Sequence, residues 1–289
     1  MGPVQRALDG DTSPAHPPPG PADTGGREEK PMSTDARSLA TEITKCPIVA
    51  AALRGEETPC HDVISWLGFS AGPRYMPEAW TGHLTEAPIL FISSNPGADD
   101  FQEPVLPDEA LTSESPQEEI FRSMDGAFDQ GQIPGIIEGT RLVNSRGRPY
   151  EGHVRYWIWN KRIARELLGR EPVPGRDYAL TEVVHCGSKG EFGVWNALET
   201  CAQRYLKRVL HLSPATVLVV AGDKALWAFE HELGVTVEGH VWGPSELLGQ
   251  KRWVLSLPHP NRRGSLWGLD PYFDEKTRVK IRGFLPAGD

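Results

Sequence analysis

A chain of 289 residues can bury a full hydrophobic core, as one large domain or two small ones. Its formal charge of -9 and pI near 5.5 argue against a protein that coats nucleic acid through bulk electrostatics, which leaves a local basic patch for any such partner. Four cysteines, Cys46, Cys60, Cys186 and Cys201, are too few for a disulfide scaffold of this size and fit free thiols or metal ligation in an intracellular setting.

The chain opens with 37 residues that hold seven prolines, including those of HPPPGPA at 16–22, and almost no large apolar side chains. Such a segment cannot offset the entropy of ordering, so residues 1–37 are expected as a disordered tail and 38–289 as the folded domain. The tail has no apolar run like that of a signal peptide, and no stretch nears the roughly 20 apolar residues of a membrane span. A cytoplasmic protein without membrane contacts follows. Residues 38–54 read as a helix that Pro47 kinks or splits, and 61–67 as a second short one.

Then comes ILFISSNPG, residues 89–97. Ile89 to Ile92 form a continuous apolar run, the mark of a strand buried on both faces, and two serines lead into Asn95, Pro96 and Gly97. At the carboxyl edge of an α/β sheet this turn would deliver Asn95 on a rigid support to the place where ligands bind. The plainer reading is turn chemistry at an ordinary strand exit. The stretch from Ala98 to Gly139, rich in Glu, Asp, Pro and Gly, is expected as an acidic insertion, either a functional lid or a disordered segment.

From Val154 the pattern alternates regularly. A helix over 157–169 stops at Gly169; a strand covers 178–185; a helix over 195–212 turns Leu198, Cys201, Ala202, Tyr205, Leu206 and Val209 inward. A buried strand at 216–222 follows, then a helix capped by Asp223, a strand at 252–260 and a closing helix in FDEKTRVKIRGFL. Strands separated by helices imply an α/β fold with a mainly parallel sheet covered on both faces. Two strands end in polar turns, Asn-Pro-Gly at 95–97 and His-Pro-Asn at 259–261, which would face one crevice. No strand is followed by GxGxxG, and there is no GxxxxGK with Ser or Thr after it, so no nucleotide cofactor is expected.

Together ILFISSNPG at 89–97, GRPYEG at 147–152, TEVVHC at 181–186 and LPHPNRRG at 257–264 resemble the uracil-DNA glycosylase superfamily over most of residues 40–289. The resemblance implies a three-layer α/β/α sandwich with a short, mainly parallel sheet, acting as a monomer on single- or double-stranded DNA. It implies a hydrolase that flips a damaged base into a pocket and breaks its bond to the sugar, since that bond is inaccessible in the stack. On this resemblance Asn95 positions the attacking water, and His259 donates to the base oxygen that gains charge as the bond breaks. Tyr150 stacks on the flipped base, with Ser94 and Gly97 of the first turn also at the base. Asn261, Arg262 and Arg263 press on the DNA backbone. Members with an iron-sulfur cluster more often carry Glu at the position of Ser94, so an acid is missing there.

Glu182 stands where the family reads uracil with Asn. Ionised, it offers only acceptors and suits a base presenting an amino group; protonated, it imitates Asn; it is also a candidate for the missing general base. Some branches bind a 4Fe-4S cluster with two cysteines before the first turn and two after the TNVVKC strand. Cys46, Cys60, Cys186 and Cys201 match that order, which implies a structural cluster, against a reading of four buried apolar thiols. Lys189 is the one nearby amine for lyase chemistry and is less attractive. The alternative function is a DNA-binding protein that keeps the fold and has lost efficient hydrolysis.

Overall fold

The structure is a computed structural model that describes residues 35–65, 77–97, 116–143, 147–262 and 268–286. The tail lies outside them except for its last three residues, and so does the acidic stretch up to residue 115. The first helix, α1 (Ala36–Thr44), starts two residues earlier than expected because the Asp35 carboxylate accepts the Arg37 N–H and caps it. Pro47 does split the segment: it is the first residue of α2 (Pro47–Leu53), where its missing N–H costs nothing. A short α3 (His61–Ser65) follows.

At the centre lies a five-stranded sheet. Strand β1 (Ile89–Ser93) pairs in parallel with β4 (Tyr178–Glu182) on one side and β5 (Val217–Ala221) on the other. Beyond β5 come β7 (Gln250–Leu257), parallel, and β6 (Val241–Leu247), an antiparallel edge, in the order β4-β1-β5-β7-β6. All five residues of β1 are buried, as its apolar run demands. Leu90 and Ile92 point into one core with α6 (Val194–Leu212) and α7 (Asp223–Leu233). Ile89 and Phe91 point into a second core with α5 (Arg155–Leu168) and α8 (Glu275–Arg282). Helices therefore cover both faces, in agreement with the expected α/β class and mainly parallel sheet.

The strand that carries the first turn is held firmly. Phe91 meets Trp159 and Tyr178 edge-on at 5.8 and 5.7 Å. Emptying such a site by truncation to alanine typically costs about 3–5 kcal/mol. All six inward residues expected on α6 are buried. Its last turn is closed by Arg252 of β7, fully buried, whose Nη2 donates to the carbonyls of Leu210 and Ser213 at 2.9 and 2.8 Å.

Four expectations are corrected. The end of the acidic stretch is not a bare loop: it forms α4 (Gln117–Asp125), with Ile120 and Met124 buried and Glu118 and Glu119 favourably placed in the first turn, and then a hairpin of β2 (Gly135–Ile137) and β3 (Arg141–Val143). Strand β4 ends at Glu182, three residues early, although Val183 and Val184 still donate to the carbonyls of Ser93 and Ser94. Asp223 does not cap α7; Gly222 stands at that position and Asp223 is the first helical residue. Strand β6 was not expected, because VWGPSEL is half-exposed and broken by Gly243 and Pro244 around an irregularity in its pairing. Among the described residues no helix is long and apolar enough to cross a membrane.

Candidate functional site

Because β1, β4, β5 and β7 run parallel, their carboxyl ends share one edge, and the two polar turns emerge there on either side of β5. On the β1 side Asn95 is buried and its amide is fixed. Nδ2 donates to the Pro96 carbonyl at 2.8 Å, to Ser188 Oγ at 3.0 Å and to the Cys186 carbonyl at 3.3 Å. The chain after β4 thus runs beside the turn, with Gly97 bridging to Ser188. With the amide nitrogen committed inward, the Oδ1 acceptor is the end left to orient a water. Gly97 is exposed, and a Cβ there would meet nothing within 4 Å among the described residues.

On the β7 side His259 is half-buried. The Asn261 N–H donates to its Nδ1 at 3.3 Å, so a neutral ring carries its proton on Nε2. Burial lowers the ring below its ordinary pKa, Lys224 adds to this, and Glu191 opposes it. His259 is therefore a neutral Nε2–H donor at pH 7. Its ring stacks on Tyr156 at 5.4 Å and 13°, and Tyr156 stacks in turn on Trp159. That column ties the second turn to the core beneath β1.

Gly222 sets the other side of the histidine. It sits at the end of β5 with φ 92, and a Cβ there would come 3.1 Å from the Cβ of His259. The backbone angle favours glycine, and a Cβ would press on His259. Gly222→Ala is expected to shift His259 and to lower the melting temperature, with the protein still folded by circular dichroism.

Glu182 is buried at the end of β4, and its carboxyl lies well above the ordinary value, first through burial and then through the nearby Glu78 carboxylate. Burial also pushes Glu78 up to about 7. The folded protein therefore holds protons that the unfolded chain would release. That stabilisation is complete below the unfolded value of 4.5 and is lost as pH rises through about 7. Urea unfolding of Glu78→Gln is expected to show a flatter fall in stability from acidic to mildly alkaline pH. Nearby, the Tyr156 hydroxyl lies beside Ser93 and the fully buried Asn160 amide.

Ser94 does not stand alone either. Its Oγ donates to Glu191 Oε1 at 2.5 Å, and Lys224 Nζ meets Glu191 Oε2 at 2.5 Å. Glu191 belongs to the turn Lys189–Glu191 after β4 and has φ 59, a conformation that costs a non-glycine residue on the order of 1–3 kcal/mol. Burial disfavours its charge, but Lys224 and Ser94 prevail and keep its carboxyl below the ordinary value.

Of the remaining sequence-derived positions, Tyr150 is half-buried and fixed through its N–H to the Leu142 carbonyl. The aromatic ring that contacts His259 is Tyr156, six positions later. Asn261 and Arg262 are exposed at the exit of β7, and Arg262 makes a 3.4 Å ion pair with the exposed Asp223. Such a pair is worth little and yields readily to a phosphate. Arg263 lies outside the described residues. Sequence reasoning missed Glu191, Lys224, Gly222, Tyr156 and Glu78; only the glycine-rich GSKGEFG after β4 hinted at a special loop.

The four cysteines are all buried and free. They come from the N-cap of α2, the turn before α3, the exit of β4 and the middle of α6, yet they converge. Cys186 is pushed well above the ordinary thiol value by direct contact with Cys60, by burial, and by the charges of Cys201 and Cys46. Burial raises Cys201 to about 12. Among the described residues no group of three or more His, Cys, Asp and Glu side chains is set to hold a single metal ion. A four-iron cluster spaces its thiolates more widely than one ion does, and four buried free thiols brought together in this way are a donor set of the type such a cluster uses. No protein-family model matches this chain, and a search of curated proteins also finds no match.

Proposed function

We propose that the chain is a DNA glycosylase of the uracil-DNA glycosylase type, hydrolysing the bond between sugar and base of a flipped uracil or related damaged base. The observation that carries this reading is the pairing, at one sheet edge, of an Asn95 amide locked by three acceptors with a neutral His259 whose Nδ1 is already satisfied. Asn95 orients water through Oδ1. His259 Nε2–H stabilises the negative charge that the departing base gains, in a site preorganised before the charge develops. Helices on both faces of a mainly parallel sheet support the three-layer sandwich of that family.

Glu182 then reads the base as a neutral acid. Burial and Glu78 both favour its neutral carboxyl, which offers one donor and one acceptor, as an Asn would, and suits the carbonyl and N–H edge of uracil better than an amino-bearing edge. Tyr150 supplies a stacking face, which typically contributes about 1–3 kcal/mol per base. Asn261, Arg262 and Arg263 hold the backbone beside the extruded nucleotide. Cys46, Cys60, Cys186 and Cys201 hold a structural 4Fe-4S cluster that clamps the N-terminal helices to α6 and takes no part in the chemistry.

The test is a gel assay on single- and double-stranded oligonucleotides carrying one uracil, hydroxymethyluracil, hypoxanthine or xanthine. Alkali-labile sites on a uracil-like substrate are expected. Binding without abasic sites on any of them would leave only a DNA-binding protein.

A further inference from the structure

The position at which iron-sulfur members carry an acid is Ser94 here, and Asn95 is no base. We propose that the water-activating carboxylate of this site is Glu191, delivered from the loop after β4 to the place that Ser94 leaves vacant. The inference rests on the glycosylase reading and names the base that reading lacks.

Three features place it. Glu191 Oε1 accepts from Ser94 Oγ, the residue next to Asn95, so the carboxylate sits at the first turn. The same loop is stitched to that turn by Asn95 to Ser188 and by the Ser188 N–H to the Pro96 carbonyl, so Glu191 does not reach the site by chance rotation of a long side chain. Lys224 from α7 fixes the other oxygen, and the carboxylate is close enough to His259 to act on its charge. The side chain remains 42% exposed, which leaves lone pairs open to a water. The left-handed φ of Glu191 is the kind of local strain that persists where function requires a particular placement.

The step balances without another reactant. The water oxygen bonds to the sugar C1′ as the C1′–N bond breaks. The electron pair of that bond leaves with the base, whose charged oxygen accepts from His259 Nε2–H. The water proton passes to Glu191 and on to solvent, and the base takes a proton from solvent. A carboxylate paired with Lys224 is a weak base, but the water becomes acidic as it bonds to a sugar with oxocarbenium character, and the negative charge also stabilises that sugar. Ser94 and Lys224 are positioning residues, and Lys224, Ser94 and His259 are the groups that face Glu191.

The experiment compares single-turnover excision by wild type, Glu191→Gln and Glu191→Ala on the best substrate of the panel. Binding is measured separately on an oligonucleotide whose target nucleotide carries a 2′-fluorine to slow cleavage. Glu191→Gln is expected to lose about 10²–10⁴-fold in rate, the usual contribution of a general base, with binding unchanged. Glu191→Ala is expected to regain rate with added formate in a concentration-dependent way. Should either variant misfold, Ser94→Ala gives the second reading: a smaller loss of single-turnover rate, not relieved by formate because the carboxylate is still present, with binding unchanged. Excision by Glu191→Gln at the wild-type rate, or a loss in Glu191→Ala that formate does not relieve, would overturn the assignment of Glu191 alone. A wild-type protein that releases no base would bring down the glycosylase reading and Glu191 with it.

Discussion

His259→Ala is expected to lower the single-turnover rate of base release by about 10²–10³-fold, equivalent to ~2.7–4 kcal/mol of lost charge stabilisation. The size follows from the geometry around the ring. Nδ1 is occupied by the Asn261 N–H, so the Nε2 proton is the one directed elsewhere, and stacking on Tyr156 holds the plane. A donor fixed before the base becomes an anion needs no reorganisation when the bond breaks, and its removal leaves the anion with nothing equivalent. DNA binding should change little, since the effect falls on the transition state. His259→Gln restores a donor without the ring's stacking and should recover part of the rate. A rate in His259→Ala equal to wild type would remove the leaving-group role.

The second large effect is on iron. Anaerobically purified protein is expected to absorb broadly near ~400 nm and to hold about four irons per chain, as Cys-ligated clusters do. Cys186→Ser should lose most of that iron and melt well below wild type, because Cys186 is the thiol in contact with Cys60 and influenced by both other cysteines. In a chain of this size each kcal/mol lost corresponds to roughly 2–4 °C. On the proposal that a cluster holds α2 and the turn before α3 against α6, reagents that strip iron should lower the melting temperature of the wild type toward that of the variant. Colourless, iron-free protein that melts like the holoprotein would refute the cluster.

The parts of the fold that were legible in sequence are those where burial on both sides imposes a composition. The apolar run of β1 and the three- and four-residue spacing on α6 can satisfy few other environments, and both lie where they were expected. Strand β6 was illegible for the opposite reason: as a half-exposed edge interrupted by Gly243 and Pro244, it needs no apolar alternation. The site divides in the same way. Asn95 and His259 stand in turns at strand exits, where local sequence announces a polar edge. Glu191 depends on a left-handed residue in a short turn and on a lysine 33 positions away, neither of which leaves a local pattern. Gly222 reads as an ordinary strand-end glycine until the ring of His259 is seen against it. The convergence of the cysteines likewise needs the packing of α3 on α6, since the spacing of Cys46 and Cys60 alone gives no hint of it.

The most direct measurement is mass spectrometry of a single-turnover reaction between the purified protein and an oligonucleotide carrying one uracil. Glycosylase chemistry predicts free uracil and abasic oligonucleotide in equal amounts, both abolished in Asn95→Ala. Oligonucleotide that is bound yet recovered intact, with no free base at any protein concentration, would contradict it.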